Sequence, residues 1–298
     1  MSSRPAQVVE LQAGPAQLRV CPGIGGAIAD FIWRGQPILR PTAAEAIAKG
    51  QVRRLASYPL VPYSNRIGYG KLAFNGEAFT LQPPFTPEPH VIHGVGWRRA
   101  WSVVDQSQSE LALGLEHPGD VEWPYRFHAQ QAFALSDGRL DVTLRLTNRD
   151  SRAMPAGMGF HPFFPLFPDV TLQATWAGAW MNGPDKLPAQ WVPLPNDADV
   201  RSPRRIGDWA VDRCFTGWNR FAQLNYGSHR VTITGSEAFG NMVCYVPVGG
   251  DFIALEPVSN VNDAFALAAR GVSGTGMRVL EPGEALEGRM SITVEAGA

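Results

Sequence analysis

The chain is short of cysteine, of unbalanced charge and of long apolar runs, and each shortage removes a class of function. Three cysteines in 298 residues (Cys21, Cys214 and Cys244) are too few and too scattered for a zinc site or a disulfide framework. Lysine and arginine number 26 against 27 aspartates and glutamates, a formal net charge of −1. With no basic run or arginine-rich stripe, nucleic acid is not an expected partner. No run of about 18 apolar residues is present, so no membrane-spanning helix is expected, and the opening Met1–Gln7 lacks the apolar core of a signal peptide. The expectation is a reduced, cytoplasmic, soluble protein with no obligate protein partner. Helix is scarce too: in the first part of the chain the alanine-rich residues 42–49 read as its one short helix.

What is plentiful is the punctuation of β structure. Asn75-Gly76 between Leu72–Phe74 and Ala78–Leu81 is a strong short hairpin signal. A second hairpin runs from Gln131 through Ser136-Asp137-Gly138 to Asn148. Its second arm sets Leu140, Val142, Leu144 and Leu146 on one face, with Asp141, Thr143, Arg145 and Thr147 on the other, a period of two. Gly249-Gly250-Asp251 joins Met242–Pro247 to Phe252–Leu255, and Val170–Trp176, Arg230–Thr234 and Met290–Val294 also alternate. Residues 183–209, rich in proline, glycine and charge, read as a long surface excursion. A hydrophobic fraction of 45% supplies a sizeable core. Many strands at short spacing imply a large all-β sandwich or barrel, and the absence of a composition shift implies one domain over residues 1–298.

Two apolar runs each deliver a single ionisable group followed by proline: Ala156–Phe160 before His161-Pro162, and Phe252–Leu255 before Glu256-Pro257. Both read as buried strands ending where proline stops the ladder. A His and a Glu delivered in this way suit an acid–base pair acting on opposite sides of a small substrate, or else a buried structural pair. Asn65-Arg66 offers an amide and a multi-donor guanidinium suited to hydroxyls or a carboxylate, with a surface salt bridge as the plain alternative. His90 and His93, three apart in an extended segment, point to opposite faces and lack a third ligand nearby, so no metal is expected. His93 beside Trp97 reads instead as a hydrogen-bonding residue for a ligand. Asp212 and Trp218 offer a carboxylate for vicinal hydroxyls and an aromatic face for a sugar ring, or a turn-capping acid and a core aromatic. His117, His128 and His229 read as solvent-facing and receive no role.

Taken in order, Asn65-Arg66, His93-Gly94 with Trp97, His161-Pro162, Asp212 and Glu256 with Asp263 resemble the aldose 1-epimerase (galactose mutarotase) family, over nearly the whole chain. The resemblance implies an antiparallel β-supersandwich with a sugar cleft on one concave sheet, and interconversion of α and β anomers without cofactor or metal. It implies Glu256 as the base at the anomeric hydroxyl and His161 as the acid at the ring oxygen, with Arg66, His93 and Asp212 orienting the sugar. The Gly-Phe-His161-Pro-Phe-Phe context departs from the polar one of galactose-specific members and looks like a divergent bacterial branch. A free aldohexose is the expected small-molecule partner. A hexose 6-phosphate is the alternative, for which only Arg98-Arg99 and Arg213 offer arginines near the motifs.

Three other readings share these residues. A non-catalytic carbohydrate-binding protein would need neither an acid nor a base. A glycoside hydrolase would need two carboxylates, for which Glu256 and Asp212 are the candidates. A metal-dependent cupin-like enzyme would need a bound metal.

Overall fold

The computed structural model describes residues 7–83 and 88–297. Among them the structure is an antiparallel β-sandwich, as the strand spacing implies. A nine-stranded sheet runs in the order Ser102–Gln106, Glu110–His117, Phe127–Ser136, Arg139–Asn148, Ala285–Ala296, His229–Gly235, Phe221–Asn225, Thr171–Ala174 and Arg204–Arg205. Facing it is an eight-stranded sheet, ordered Pro188–Pro193, Gly178–Asn182, Val211–Thr216, Asn241–Val246, Phe252–Val258, Gly159–Phe160 and Pro59–Leu60, with Phe163–Pro165 also paired to Phe252–Val258. The alternation along Arg139–Asn148 sends Leu140, Val142, Leu144 and Leu146 into a core shared with Phe215, Met242, Ile253 and Leu255 of the second sheet. No helix among the described residues is long and apolar enough to cross a membrane.

The Phe252–Val258 strand shows why its sequence reads as an unbroken apolar run. Ile253 and Leu255 enter the sandwich core, while Ala254 and Val258 join a second apolar cluster on the opposite face. A strand buried on both faces loses its alternation. Glu256 is the one charged residue of this strand, and it is set into that second face.

The expected helix and the hairpin at Asn75-Gly76 are present, as Ala44–Ala48 and as Lys71–Phe74 with Glu77–Thr80. Four expectations need correction. Pro257 does not end its strand: Met242 lies opposite it, and pairing continues at Val258 to both Asn241 and Gly159. The proline removes one donor without breaking the ladder on either side. Residues 183–209 are not only excursion, since Pro188–Pro193 and Arg204–Arg205 form sheet edges. Their mostly exposed side chains give no alternating pattern to detect. A helix at Ala264–Ala269 was not expected. His117 and His229 are buried rather than solvent-facing, stacked on Phe127 and Tyr226 with ring centroids 4.8 and 4.6 Å apart.

Candidate active site

Strand register builds the centre of the site. Gly159 pairs with Val258 and Phe163 with Ala254. This common register places His161 opposite Glu256, where cross-strand neighbours touch. On the other side, Val243 lies opposite Glu256, Tyr245 opposite Ala254, and Asp212 opposite Tyr245. Residues two apart share a face, so His161, Glu256, Tyr245 and Asp212 all project from the face turned away from the sandwich core. His161 Nε2 lies 3.2 Å from Glu256 Oε1, and both residues are buried. His161 Nδ1 and Glu256 Oε2 have no hydrogen-bond partner. Buried polar atoms left unpaired are costly, and they mark places where a ligand completes the hydrogen bonding.

The second wall comes from two left-handed residues that hold each other. Asn65 and His93 have φ of 59° and 64°. The two residues close a reciprocal pair: His93 N–H donates to Asn65 O at 2.9 Å, and Asn65 N–H donates to His93 Nδ1 of the side chain at 3.1 Å. Gly94 follows at φ 67°, and a Cβ there would lie 2.3 Å from Val61 O, so only glycine fits. Asn65 Oδ1 accepts from the Arg66 backbone N–H at 3.0 Å and from Arg66 Nη1 at 3.3 Å, fixing the guanidinium.

The bond to Asn65 N–H also fixes the His93 tautomer. Nδ1 must hold a lone pair to accept it, so in the neutral ring Nε2 carries the proton and donates. His93, His161 and Glu256 offer ligand atoms within 4.8 Å of one another, a trio the sequence did not disclose. With one His93 nitrogen occupied and the other protonated, that trio suits hydrogen bonding to oxygen better than metal ligation.

These residues line one cavity of about 330 Å³, at the small end of the range for small-molecule sites. Asn65, Arg66, His93, His161, Asp212 and Glu256 all face it. Trp218 does not: it is buried, and its indole N–H donates to Phe221 O at 2.8 Å. The aromatic walls are instead Tyr58, Trp97, Phe163, Tyr245 and Phe252, with Phe163 stacked on His161 at 4.4 Å and Tyr58 tilted against it at 4.7 Å. Asp263 is also outside the lining. Its carboxylate accepts from Gly68 N–H at 2.9 Å and its own N–H donates to Arg66 O at 3.0 Å, so it braces the Arg66 segment.

Burial dominates the electrostatics. It lowers the His161 pKa to about 3, helped by the positive charges of Arg40 and Arg53. It raises that of Glu256 well above the usual carboxylate value, with the Asp212 charge adding and Arg66 opposing. His93 is held well below its ordinary value by burial, then by His161 and Arg66. The histidine–glutamate pair therefore keeps one proton between the depressed value of His161 and the raised value of Glu256. A neutral imidazole beside a carboxylic acid and an imidazolium beside a carboxylate contain the same number of protons, so the two states differ only in which atom holds it.

Arg40 and Arg53 escape sequence reasoning because nothing in their local context marks them. Asn260 and Asn262 do leave a trace, as a polar run directly after an apolar strand. Asn262 Oδ1 accepts from Arg66 N–H at 3.2 Å, and Asn260 ties to Ser64 through both ends of its amide.

A family model described as Aldose 1-epimerase matches residues 7–293. The uncharacterized protein YphB of Escherichia coli (strain K12) is 31% identical over 283 residues, covering 91% of this chain and 93% of that protein. A crystal structure from Escherichia coli K12, provisionally described as an aldose 1-epimerase, superposes with a TM-score of 0.88 at 29% identity, covering 97% and 99% of the two chains. A galactose mutarotase-like protein from Clostridium acetobutylicum gives a TM-score of 0.87 at 17% identity over 98% and 96%, a likeness of fold.

Proposed function

Because the chain belongs to the aldose 1-epimerase family, we propose that it interconverts the α and β anomers of a hexose by acid–base ring opening and closure. The observation that carries this reading is the buried 3.2 Å contact between His161 and Glu256 at the cavity, each with a second heteroatom left unpaired. In the opening step Glu256 accepts the proton of the anomeric hydroxyl while His161 gives its proton to the ring oxygen. The C1–ring oxygen bond breaks and C1 becomes an aldehyde. Rotation about C1–C2 presents the other carbonyl face. The freed hydroxyl then attacks C1, returns its proton to His161, and the new anomeric oxygen takes the proton held by Glu256.

Opening starts with the shared proton on His161 and leaves it on Glu256; closure reverses the transfer. Burial suits both directions, since it makes imidazolium a stronger acid and carboxylate a stronger base. Positioned acid and base groups each contribute about 10²–10⁴-fold, enough for a reaction that only moves protons between oxygens. The His93 Nε2–H donor supports the ring oxygen, and Arg66 and Asp212 match sugar hydroxyls as donor and acceptor.

The test is anomer exchange followed by polarimetry or NMR on freshly dissolved α-glucose and α-galactose. Wild type should accelerate exchange, and Glu256→Gln and His161→Ala should each remove at least about 10²-fold of it. Full activity in either variant would overturn the assignment.

A further inference from the structure

A hairpin at the edge of the eight-stranded sheet brings to the cavity a cation that neither the motifs nor the proposed chemistry uses. Gly178–Asn182 pairs with Pro188–Pro193, and residues 183–187 form the tip between them. Lys186 N–H donates to Gly183 O at 2.9 Å and Gly183 N–H to Leu187 O at 2.8 Å, with Lys186 at φ 64°. A tight turn followed by a left-handed residue is a common hairpin closure, and the left-handed place normally goes to glycine. Here it holds Lys186, which lines the 330 Å³ cavity. A side chain kept where the backbone would prefer none points to a use for it.

Three segments pin the tip. His90 Nδ1 accepts from Tyr69 N–H at 3.0 Å, so its Nε2 carries the proton and donates to Asp185 O at 2.8 Å. The Tyr69 hydroxyl donates to Asp185 Oδ2 at 3.2 Å. Asn262 Nδ2 donates to Lys186 O at 2.8 Å and to Asn182 Oδ1 at 3.4 Å, while its Oδ1 accepts from Arg66 N–H. Asn182 Nδ2 in turn donates to Asp212 O at 3.1 Å. Two side-chain amides thus link Arg66 to Asp212, the residues matched to sugar hydroxyls, and Lys186 hangs from the middle of that chain. Its ammonium has no hydrogen bond or ion pair among the described residues, although Glu88 lines the same cavity.

We infer that Lys186 is a further sugar-binding residue, and that with Asp212 it reads two neighbouring free hydroxyls of the ring away from C1. The carboxylate accepts from one hydroxyl, and the ammonium donates to the oxygen of the other. Lysine offers three donors and no acceptor, so it complements Asp212, which only accepts. Both residues are exposed at the rim, so the ammonium keeps part of its hydration while it binds. The pinned backbone lessens the ordering that binding requires. A sugar lacking either hydroxyl leaves the ammonium or the carboxylate without its partner, and is selected against for that reason. This inference rests on the anomer-exchange reading, and two measurements keep them apart.

The first compares exchange kinetics on glucose and its 2-, 3-, 4- and 6-deoxy analogues in wild type and Lys186→Gly. Glycine suits the left-handed backbone, so this variant should keep or raise the midpoint of thermal unfolding while removing the donor. In wild type, deoxygenation at either of two adjacent carbons should lower kcat/KM about ten-fold, the equivalent of about 1.4 kcal/mol. In Lys186→Gly glucose itself should lose about ten-fold, and one of those two penalties should vanish because the partner of that hydroxyl is already gone. Penalties unchanged at every carbon in Lys186→Gly would overturn the role. The second measurement is NMR titration with 1,5-anhydroglucitol, which lacks the anomeric oxygen and cannot open. Binding that weakens about ten-fold in Lys186→Gly supports the role even if no sugar is exchanged, in which case only the anomer-exchange reading fails. Binding that Lys186→Gly leaves unchanged, or no binding by the wild type, overturns the role whatever the exchange rates.

Discussion

His161 and Glu256 are written into the chain as single ionisable groups in apolar runs, and their chemistry follows from that burial. The pair holds one proton between the depressed value of His161, about 3, and the raised value of Glu256. The pH–rate profile should therefore be a bell with a broad top. Its acid limb should fall well below 6.5, and its alkaline limb well above 4.5, the ordinary values of the two groups. An acid limb near 6.5 would mean that His161 titrates as if solvated. Stability follows from the same count of protons. Between pH 4.5 and 6.5 the unfolded chain carries one proton on these two groups, as the folded pair does, so their contribution is level. Below 4.5 the unfolded chain binds the extra proton, and above 6.5 the folded pair, up to the raised value of Glu256, keeps one that the unfolded chain has lost. Both differences destabilise the fold, by up to about 1.4 kcal/mol per pH unit. Subtracting the unfolding free energies of a His161→Leu/Glu256→Leu double variant from those of wild type should leave a plateau falling on both sides. A difference that is level from pH 3 to 9 would sink the argument.

At the scale of elements, local chemistry was legible wherever it decides structure locally. Asn75-Gly76 and Ser136-Asp137-Gly138 mark real hairpins because turn geometry depends on the residues in the turn. Pro257 misled because a strand ends only if its neighbours need the missing donor. Trp218 misled because an aromatic a few residues after an acid in sequence gives no information on the direction of either side chain. The site's scaffold was illegible for another reason: Asn260 and Ser64 meet across 196 residues. Asn260 Oδ1 accepts from Ser64 N–H and hydroxyl, each at 3.0 Å, while its Nδ2 donates to Ser64 O and Val261 O, each at 3.0 Å. Through Ser64 this amide positions Asn65 and Arg66. Asn260→Ala leaves several buried groups unpaired and should cost about 3 kcal/mol in urea unfolding. It should also lower kcat/KM at temperatures where the variant is fully folded, whereas a loss of stability alone would make Asn260 a brace without bearing on the site.

For the molecule as a whole, the site sheet has two faces with different duties. One is welded into the sandwich core through Ile253 and Leu255, and the other carries Glu256, His161 and Asp212. The core thus holds the Glu256 carboxylate from behind, since Leu255 and Glu256 are neighbours on opposite faces of one strand. Leu144 lies in the same core but on the nine-stranded sheet, which contributes no residue to the cavity. Both leucines are fully buried, so Leu144→Ala and Leu255→Ala should each cost about 2–5 kcal/mol through lost contacts and the cavity left behind. Their effects on rate should differ. Collapse around a shortened Leu255 moves the strand bearing Glu256, and a displacement of about 1 Å at a reacting group costs about 10²-fold. Collapse around Leu144 is taken up within the nine-stranded sheet that bears it. Measured well below the midpoint of thermal unfolding, kcat should fall in Leu255→Ala and hold in Leu144→Ala. Equal losses would show that the sandwich transmits packing defects uniformly, and that the acid–base geometry depends on the entire core rather than on one strand.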